Sequence, residues 1–249
     1  MLSKNTVKFI KSLHQKKYRS DSRMFFVEGE KSVLEVLDSD FSVEMILGTA
    51  SFEKRNSQVL TSFSGDFISV TQNQLEQVGH YQSNDAALAV VKMKENKAFE
   101  PGEDQLILAL DEVRDPGNLG TIIRVADWYG IRRLVFSQQT AEFYNPKVIQ
   151  ASMGSFTRVE FFYGDLGEVL ERWKLPVYGA FLDGENIHRL DKPASGVILM
   201  GNEANGISSE LAKKVSQKVT IPGFGRAESL NVAIATAIIC DNFKRLMGS

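Results

Sequence analysis

The sequence predicts an α/β protein in which a small N-terminal α/β domain precedes a larger domain built on a parallel β-sheet. Three observations support this fold class. Apolar runs of strand length alternate with stretches of helical periodicity, a polar stretch interrupts the alternation near residue 100, and glycine-rich turns follow several strands of the second part. From these residues alone we expect an open, doubly wound sheet in the larger domain.

The first domain is predicted to span residues 1–95. Its expected elements are a helix at 5–13, a strand at 24–28, a helix at 30–38 and strands at 43–47, 67–70 and 87–91. The charged stretch that follows is broken by Pro101 and Gly102 and has the composition of a linker, which we assign to residues 96–104.

The second domain, residues 105–249, begins with a continuous apolar run at Leu106–Leu110, typical of a strand buried on both faces of a sheet. Further strands are expected at 133–136, 177–181 and 197–200, and helices at 119–129, near 145–153 and from about Ser229. Strands that alternate with helices predict βαβ units and therefore a parallel sheet.

The last predicted helix is apolar on nearly every side. Between Leu230 and Cys240 only Asn231 and Thr236 are polar, so this helix has no broad polar face. Such a helix must be covered on more than one side. Burial within the domain would account for it, but we favour a subunit interface.

Composition excludes several classes of protein. A hydrophobic fraction of 43% and a charged fraction of 24% argue against disorder. Cys240 is the only cysteine, which excludes an internal disulfide and a thiolate metal cluster and favours a reducing compartment. His14, His80 and His188 are far apart and lack the spacing of metal ligands. Neither a signal-peptide core nor an apolar run of the ~18–20 residues that span a bilayer is present. We expect a cytoplasmic protein without a structural metal.

Basic residues are concentrated at the N-terminus, although the net charge of the chain is −2. The first 23 residues contain a single acid, Asp21, among seven cations, which are Lys4, Lys8, Lys11, Lys16, Lys17, Arg19 and Arg23. A local patch of this kind can bind phosphates on an otherwise acidic protein. The alternative is a solvated face of an amphipathic helix.

Three segments contain more glycine, asparagine and charge than their surroundings require. The first, residues 111–124, follows the Leu106–Leu110 strand and leads into a helix. Asn118 lies near the helix start, where its amide can satisfy free backbone N–H groups. Arg124 lies among apolar residues and therefore needs a partner, either an acid such as Glu203 in a structural ion pair or a functional ligand.

The other two segments also follow apolar runs. Residues 201–206 form a glycine-rich turn after a predicted strand, where α/β sheets place ligands, and they contain Glu203. Residues 221–231 contain Pro222, Gly223 and Gly225 just before the last helix, and Ser229 is a candidate cap for that helix.

As an ordered set, the three segments resemble the motifs of a known family. DEVRDPGNLGTIIRVADWYG, LMGNEANGIS and IPGFGRAESLNVAIATAI resemble motifs one, two and three of the SpoU/TrmH family of RNA ribose 2′-O-methyltransferases, members of the SPOUT superfamily. FYNPKVIQASMGS between motifs one and two also fits. The stretch from Asn5 to Leu37 resembles the family's ribosomal-protein-like RNA-binding domain. Ala227 departs from the family pattern, which has an aliphatic residue before Glu-Ser-Leu-Asn.

The resemblance implies a fold and a cofactor that the residues alone do not predict. It implies a parallel sheet whose C-terminal segment is threaded into a deep trefoil knot, a rare feature. It also implies a homodimer formed through the SPOUT domain. The knot would bind S-adenosylmethionine, mostly through backbone groups, at positions that correspond to Gly201, Ile221, Leu230, Gly223 and Gly225.

The resemblance also implies the roles of the polar residues. Arg124 is the expected central catalytic residue, with Asn118, Glu203, Ser229 and Asn231 as the surrounding polar groups. Guanidinium groups stay protonated near neutral pH and are poor bases, so we expect a charged Arg124, oriented by Glu203, to hold a phosphate and stabilise the developing alkoxide. The expected RNA-binding residues are Lys16, Lys17, Arg19 and Arg23.

Ribosomal RNA is the expected substrate by analogy with the family, and transfer RNA is the alternative. Two other classes remain open. A Rossmann-type nucleotide enzyme would have an acid after the strand that follows the first segment, but Phe136 is followed by Ser-Gln-Gln. An inactive RNA-binding member of the fold is disfavoured because all five catalytic candidates are present.

Overall fold

The computed structural model describes residues 2–102, 105–190 and 195–248. The chain forms two compact units. The first comprises Met1–Glu95 and Phe143–Thr157, and the second comprises Asn96–Glu142 and Arg158–Ser249. No described helix is long and apolar enough to cross a membrane.

The strands of the first unit are β1 (Met24–Glu28), β2 (Val43–Gly48), β3 (Asp66–Ser69) and β4 (Ala87–Lys92). Those of the second are β5 (Leu106–Leu110), β6 (Arg133–Phe136), β7 (Glu160–Tyr163), β8 (Val177–Asn186), β9 (Gly196–Met200) and β10 (Gln217–Thr220). The helices are α1 (Lys4–Ser12), α2 (Lys16–Ser22), α3 (Glu30–Leu37), α4 (Ala50–Arg55), α5 (Ser57–Thr61), α6 (Gln72–Val78), α7 (Pro116–Trp128), α8 (Pro146–Ser152), α9 (Leu166–Trp173), α10 (Ser209–Ala212) and α11 (Val232–Met247). Short 3-10 turns occupy Ser155–Arg158 and Ile187–Arg189.

The first unit has a mixed sheet in the order β1-β4-β2-β3. Strand β4 is antiparallel to both β1 and β2, whereas β2 and β3 are parallel. Helices α1 and α6 cover one face, where Ile10 and Leu13 pack in a cluster with Leu75, Val78 and Phe26. This apolar cluster explains why α1 is amphipathic, with its lysines on the opposite face.

A segment from the middle of the chain completes the first unit. Residues 143–157 pack there, although they lie within the predicted 105–249 domain. The aromatic rings of Tyr144 and Phe156 lie against Phe25 of β1, with centroids 4.5 and 5.9 Å away. The two compact units are therefore not contiguous in sequence.

The second unit has a six-stranded sheet in the order β10-β8-β9-β5-β6-β7, and every pair is parallel. All residues of β5 and β9 are buried, as the continuous apolar run at Leu106–Leu110 predicted. The parallel α/β class expected from the sequence is confirmed. Because the strands are parallel, their carboxyl ends lie along one edge of the sheet.

The residues predicted to form a linker pack on the second unit as far as they are described. Residues 103 and 104 of that stretch lie outside the described residues. The ring of Phe99 stacks on Trp173, with centroids 5.6 Å apart, and the Arg133 guanidinium lies over the Phe99 ring, 5.4 Å from its centroid. Glu100 pairs with Arg172 at 3.2 Å. Composition alone missed these contacts because charged residues can be held by partners distant in sequence.

Candidate active site

The three glycine-rich segments follow β5, β9 and β10 at the same edge of the sheet. Strand β9 pairs with β5, so residues 111–124 and 201–206 leave the sheet from adjacent strands. Strand β10 is separated from β9 by β8. Parallel strands are spaced about 4.8 Å apart, so the 221–231 loop crosses roughly 14 Å to bring Asn231 into contact with Asn118 beyond β5.

Helix α7 begins with a cap that the sequence analysis assigned to a different residue. Asp115 is the N-cap, and its Oδ1 accepts a hydrogen bond from the Asn118 backbone N–H at 2.8 Å. Pro116 occupies the first turn, where its missing N–H costs nothing. The prediction that Asn118 caps the helix is therefore wrong. Its side chain is left available for contacts with the other segments.

The start of α11 also differs from the prediction. The helix begins at Val232, and Asn231 is its N-cap. Asn231 Oδ1 accepts hydrogen bonds from the N–H groups of Ala233 and Ile234, at 2.9 and 3.3 Å. Ser229, the expected cap, lies in the exposed loop before the helix. An Asn side chain caps as well as Ser does, so propensity could not distinguish the two.

A directional chain of hydrogen bonds joins the three segments. Asn231 Nδ2 donates to Asn118 Oδ1 at 2.9 Å, and Asn118 Nδ2 donates to Glu203 Oε1 at 2.8 Å. Because Asn231 Oδ1 accepts from the helix N–H groups, its Nδ2 must be the donor, and this fixes the orientation of both amides. The chain therefore runs from the N-terminus of α11 to the Glu203 carboxylate. It unites three of the five predicted catalytic residues.

Arg124 is exposed on α7, contrary to the apolar setting that its sequence neighbours suggested. Ile122 and Ile123 face the core, but the helical turn directs Arg124 to the outside with Thr121 and Trp128. Within the described part of the chain, the Arg124 guanidinium has no hydrogen bond or ion pair. The expected pairing with Glu203 is not observed; the described hydrogen bond of that carboxylate comes from Asn118.

The 201–206 loop contains a residue that the sequence analysis did not select. Asn202 Nδ2 donates to the Glu112 carbonyl at 2.8 Å, and its Oδ1 accepts from the N–H groups of Ala204 and Asn205. Asn202 and Gly206 also form a backbone bridge. A Cβ at Gly201 would overlap the backbone of Gly206, so only glycine fits there. The Asn-x-x-x-Gly spacing of a tight turn was the available signal.

Asp111 and Glu112 are two further residues of the site that sequence reasoning missed. Asp111 is 5% exposed, and its Oδ2 accepts from the Ser208 N–H at 2.8 Å. Glu112 has a φ of 56°, an uncommon conformation for a residue other than glycine, and its N–H donates to Ser137 Oγ at 2.8 Å. An acid directly after a buried strand was the signal that could have identified Asp111.

The 221–231 loop is open between Gly223 and Asn231, where every residue is exposed. Among the described residues, no backbone–backbone hydrogen bond involves residues 221–230. A Cβ at Gly223 or Gly225 would meet no atom within 4 Å. Ile221 is partly buried, and Leu230 is 48% exposed. The loop therefore presents unpaired backbone donors and acceptors next to the Asn118 side chain.

A metal site and a reactive thiol each place requirements on the described residues. No group of three or more His, Cys, Asp or Glu side chains that could hold a metal ion occurs among the described residues. Burial raises the pKa of the Cys240 thiol to about 12, so this thiol is a poor nucleophile near neutral pH.

The predicted RNA-binding residues lie on the first unit, and one of them is unsuitable. Arg19 is 1% exposed and donates to the Leu13 carbonyl at 2.8 Å, so it cannot reach a phosphate and is removed from the candidates. Lys16, Lys17 and Arg23 are exposed. Arg19 is buried and the neighbouring cations are exposed because the helical turn of α2 directs Arg19 towards the core.

Comparison with known proteins covers both units. The family model of the SpoU rRNA Methylase family matches residues 105–241, and that of the MRM3-like substrate binding domain matches residues 4–89. The chain is 32% identical over 237 residues to the 23S rRNA (guanosine(2553)-2′-O)-methyltransferase RlmP of Bacillus subtilis, covering 94% of this chain and 93% of that protein.

Solved structures agree over almost the whole length. The AdoMet-bound rRNA methyltransferase from Sinorhizobium meliloti has a TM-score of 0.89 and 30% identity, with 100% of this chain and 97% of that chain covered. A TrmH-family protein from Porphyromonas gingivalis has a TM-score of 0.86 and 36% identity, with 98% and 99% covered. With its three segments assembled at one sheet edge and this extent of similarity, the chain belongs to the SpoU rRNA methylase family.

Proposed function

We propose that this protein transfers a methyl group from S-adenosylmethionine to a ribose 2′-hydroxyl of 23S ribosomal RNA. The observation that carries the proposal is the hydrogen-bonded chain of Asn231, Asn118 and Glu203, which brings together one polar residue from each of the three segments. The relative from B. subtilis is named for this reaction on guanosine 2553, and the family name specifies rRNA.

S-adenosylmethionine fits the residues at the sheet edge. A ligand recognised mostly through backbone groups needs unpaired N–H and C=O groups, and the 221–230 loop supplies them. Gly201, Ile221 and Leu230 would hold this cofactor, with Gly223 and Gly225 leaving space beside it. When bound, the cofactor supplies an activated methyl group, so the protein has only to align the hydroxyl and accept its proton.

The two charged residues of the site, Arg124 and Glu203, have different roles in the proposed reaction. Arg124 has no partner among the described residues, so its guanidinium is free to hold an RNA phosphate and stabilise negative charge on the 2′-oxygen. Glu203 uses Oε1 for the bond from Asn118, which leaves Oε2 to accept the hydroxyl proton. Ser229 completes the polar surroundings from the open loop.

The first unit binds the RNA through exposed lysines. Lys4, Lys8 and Lys11 lie at helical spacing along one face of α1, and Lys16, Lys17 and Arg23 follow on and after α2. Elsewhere in this unit Lys92 and Lys94 pair with acids, whereas the five lysines of α1 and α2 have no described ion pair. Unpaired cations suit a phosphate backbone.

The C-terminal segment is proposed to form the deep trefoil knot of the SPOUT superfamily. The supporting observation is the path of the 221–231 loop, which starts at β10 on the edge of the sheet and returns across the ends of β8 and β9. A backbone trace of the protein by crystallography tests whether this segment passes through a closed loop.

The protein is further proposed to act in the cytoplasm as a homodimer, with α7 and α11 at the interface. Helices α7 and α11 pack against each other, and Trp128 on α7 is 83% exposed and Ile234 on α11 is 52% exposed, so this pair of helices offers apolar surface to a second copy of the chain. Light scattering on the wild type and on an Ile234→Lys variant tests this. A monomeric wild type would contradict the dimer.

The reaction is tested by transfer of labelled methyl from S-adenosylmethionine to unmodified 23S rRNA and, separately, tRNA. We expect ribose methylation of the 23S rRNA, and the position equivalent to guanosine 2553 is mapped first. An Arg124→Ala variant should lose about 100- to 1,000-fold in rate, and Arg124→Lys should not restore it because an ammonium cannot form the guanidinium fork. Labelling of tRNA instead of rRNA would overturn the substrate assignment.

The role of the lysines is tested by the salt dependence of RNA affinity. We expect charge reversal of Lys16 and Lys17 together to weaken RNA binding. The slope of log Kd against log salt should also fall by about two, because about two phosphate contacts are lost. Reversal of Lys31 and Lys54 together, two exposed lysines on α3 and α4, is the matched control because it changes the net charge equally. Equal effects of the two changes would show that binding is not specific to the α1–α2 face.

A further inference from the structure

We propose that Asn202 is a positioning residue that holds Glu203 in place for proton acceptance, an inference that rests on the proposed function. Glu203 is exposed, and its single described hydrogen bond is the one from Asn118. With a single hydrogen bond, this carboxylate depends on the position of its own backbone. The neighbouring Asn202 fixes that backbone.

The oxygen and the nitrogen of the Asn202 amide make hydrogen bonds to different parts of the site. Its Oδ1 accepts from Ala204 N at 2.9 Å and from Asn205 N at 3.1 Å, which folds the turn. With the oxygen so occupied, Nδ2 faces away and donates to the Glu112 carbonyl at 2.8 Å. The oxygen therefore shapes the loop, and the nitrogen attaches the loop to the segment after β5.

The anchor at Glu112 is itself held on both sides. Its N–H donates to Ser137 Oγ after β6, and its carbonyl accepts from Asn202 after β9. These two bonds maintain Glu112 in the left-handed conformation, at a φ of 56°. The residues that follow three adjacent strands are thus joined at one residue, Glu112. The 201–206 loop is therefore attached to a rigid part of the structure.

A second attachment closes the far end of the loop. The buried Asp111 carboxylate accepts from the Ser208 N–H at 2.8 Å. Glu203 lies between the two attachments, which restrict its backbone from both directions. Loss of the Asn202 donor would free the near end while the Asp111 bond remains. The loop would then stay folded, but its carboxylate would no longer be held against Asn118.

Two variants separate the role of the Asn202 oxygen from that of its nitrogen. Asn202→Asp keeps an acceptor for the turn but replaces the donor by an oxygen that repels the Glu112 carbonyl. Asn202→Ser also keeps an acceptor and is too short to reach Glu112, without added charge, so it serves if the aspartate variant is unstable. Asn205→Asp is the matched control, because the Asn205 side chain lies in the same loop, is exposed and has no described hydrogen bond.

For Asn202→Asp and Asn202→Ser we expect kcat for methyl transfer to unmodified 23S rRNA to fall about 10- to 100-fold, with KM for the RNA within about twofold. Asn205→Asp should stay within about twofold in both. In a Glu203→Gln background, the Asn202 changes should have little further effect, since they act through Glu203. Additive losses in the double variants would show a merely structural role and overturn the proposal.

A second readout does not depend on activity. A crystal structure of Asn202→Ser should show the turn intact and the Asn118–Glu203 hydrogen bond broken. If that bond persists near its present 2.8 Å, Asn202 does not position Glu203, whatever the kinetics. If instead the bond is broken but the wild-type protein labels no RNA, the proposed function fails while the positioning role stands.

Discussion

Two loops at the same sheet edge are built in opposite ways. The 201–206 loop is closed by a backbone bridge between Asn202 and Gly206, and by side-chain bonds to Glu112 and from Asn118. The 221–230 loop has no backbone–backbone hydrogen bond among the described residues. The first is organised before any ligand arrives, and the second leaves its backbone groups available.

This difference follows from what each loop has to do in the proposed reaction. A group that accepts a proton must be held within a fraction of an ångström, which requires bonds already made in the free protein. A loop that binds a cofactor by its backbone must instead keep donors and acceptors unpaired.

Substitution of Gly201 by Ala should disrupt the organised loop most severely. Its Cβ would overlap the carbonyl carbon of Gly206 and the amide of Ile207, and backbone atoms cannot move aside as a flexible side chain can. We expect a loss of about 2–3 kcal/mol in unfolding free energy and a fall of more than about 100-fold in methyl transfer. Urea unfolding and the transfer assay measure the two. A variant of wild-type stability would contradict the rigid packing of this loop.

Asn231→Asp should reverse the polarity of the hydrogen-bonded chain without removing the helix cap. A carboxylate oxygen still accepts from Ala233 and Ile234, but nothing donates to Asn118, whose amide must then turn an oxygen towards a carboxylate. We expect about a tenfold loss in transfer rate. The melting temperature should be unchanged or slightly higher, because a negative charge is favourable at a helix N-terminus. Full activity would exclude a role for amide orientation.

Hydrogen exchange should distinguish the loops directly. In the free protein we expect rapid exchange of the amides in 221–230 and slower exchange at Ala204, Asn205 and Gly206, whose N–H groups are bonded. Saturating S-adenosylmethionine should slow exchange in the open loop. Mass spectrometry of peptic fragments measures both. Equal protection of the two loops in the free protein would remove the contrast.

Gly225→Ala should have the smallest effect on the fold. The new Cβ would meet no atom within 4 Å, and Gly225 is not among the glycines with positive φ. We expect the unfolding free energy to stay level or rise by about 0.4–1 kcal/mol, because alanine restricts the unfolded chain. Urea unfolding provides the measurement. Destabilisation like that of Gly201→Ala would mean that the loop is packed rather than open.

Much of the fold could be predicted from local pattern. The apolar run at Leu106–Leu110 became a fully buried strand, and the strands Met24–Glu28 and Arg133–Phe136 have the predicted bounds. Strands β7 and β10 were missed because they are the two edge strands of the sheet, and only one of their eight residues is fully buried, so they lack the apolar pattern of a central strand. The placement of residues 143–157 in the first unit was also missed, since it depends on aromatic contacts with Phe25.

The site was predicted less completely. Asn118, Glu203 and Asn231 were selected and are joined, whereas Asn202, Asp111 and Glu112 were overlooked. Arg19 and Lys16 look alike in sequence, but the turn of α2 buries the first and exposes the second. Propensity indicates that a helix begins near residue 118 or 230, but Asp, Asn and Ser cap nearly equally well, so only geometry decides between them.

The amino-acid sequence is enough to predict the parallel α/β class, the three polar segments and the basic N-terminal helix. These features depend on the order and spacing of residues that are close in the chain. Which polar atoms come into contact depends on the folded chain. Asn118 bonds to Glu203 and to Asn231 across 85 and 113 residues of chain, and such contacts arise only when parallel strands bring their carboxyl ends to one edge. Hydrogen bonds need atoms within about 3 Å in the correct orientation, a condition that periodicity and composition do not contain.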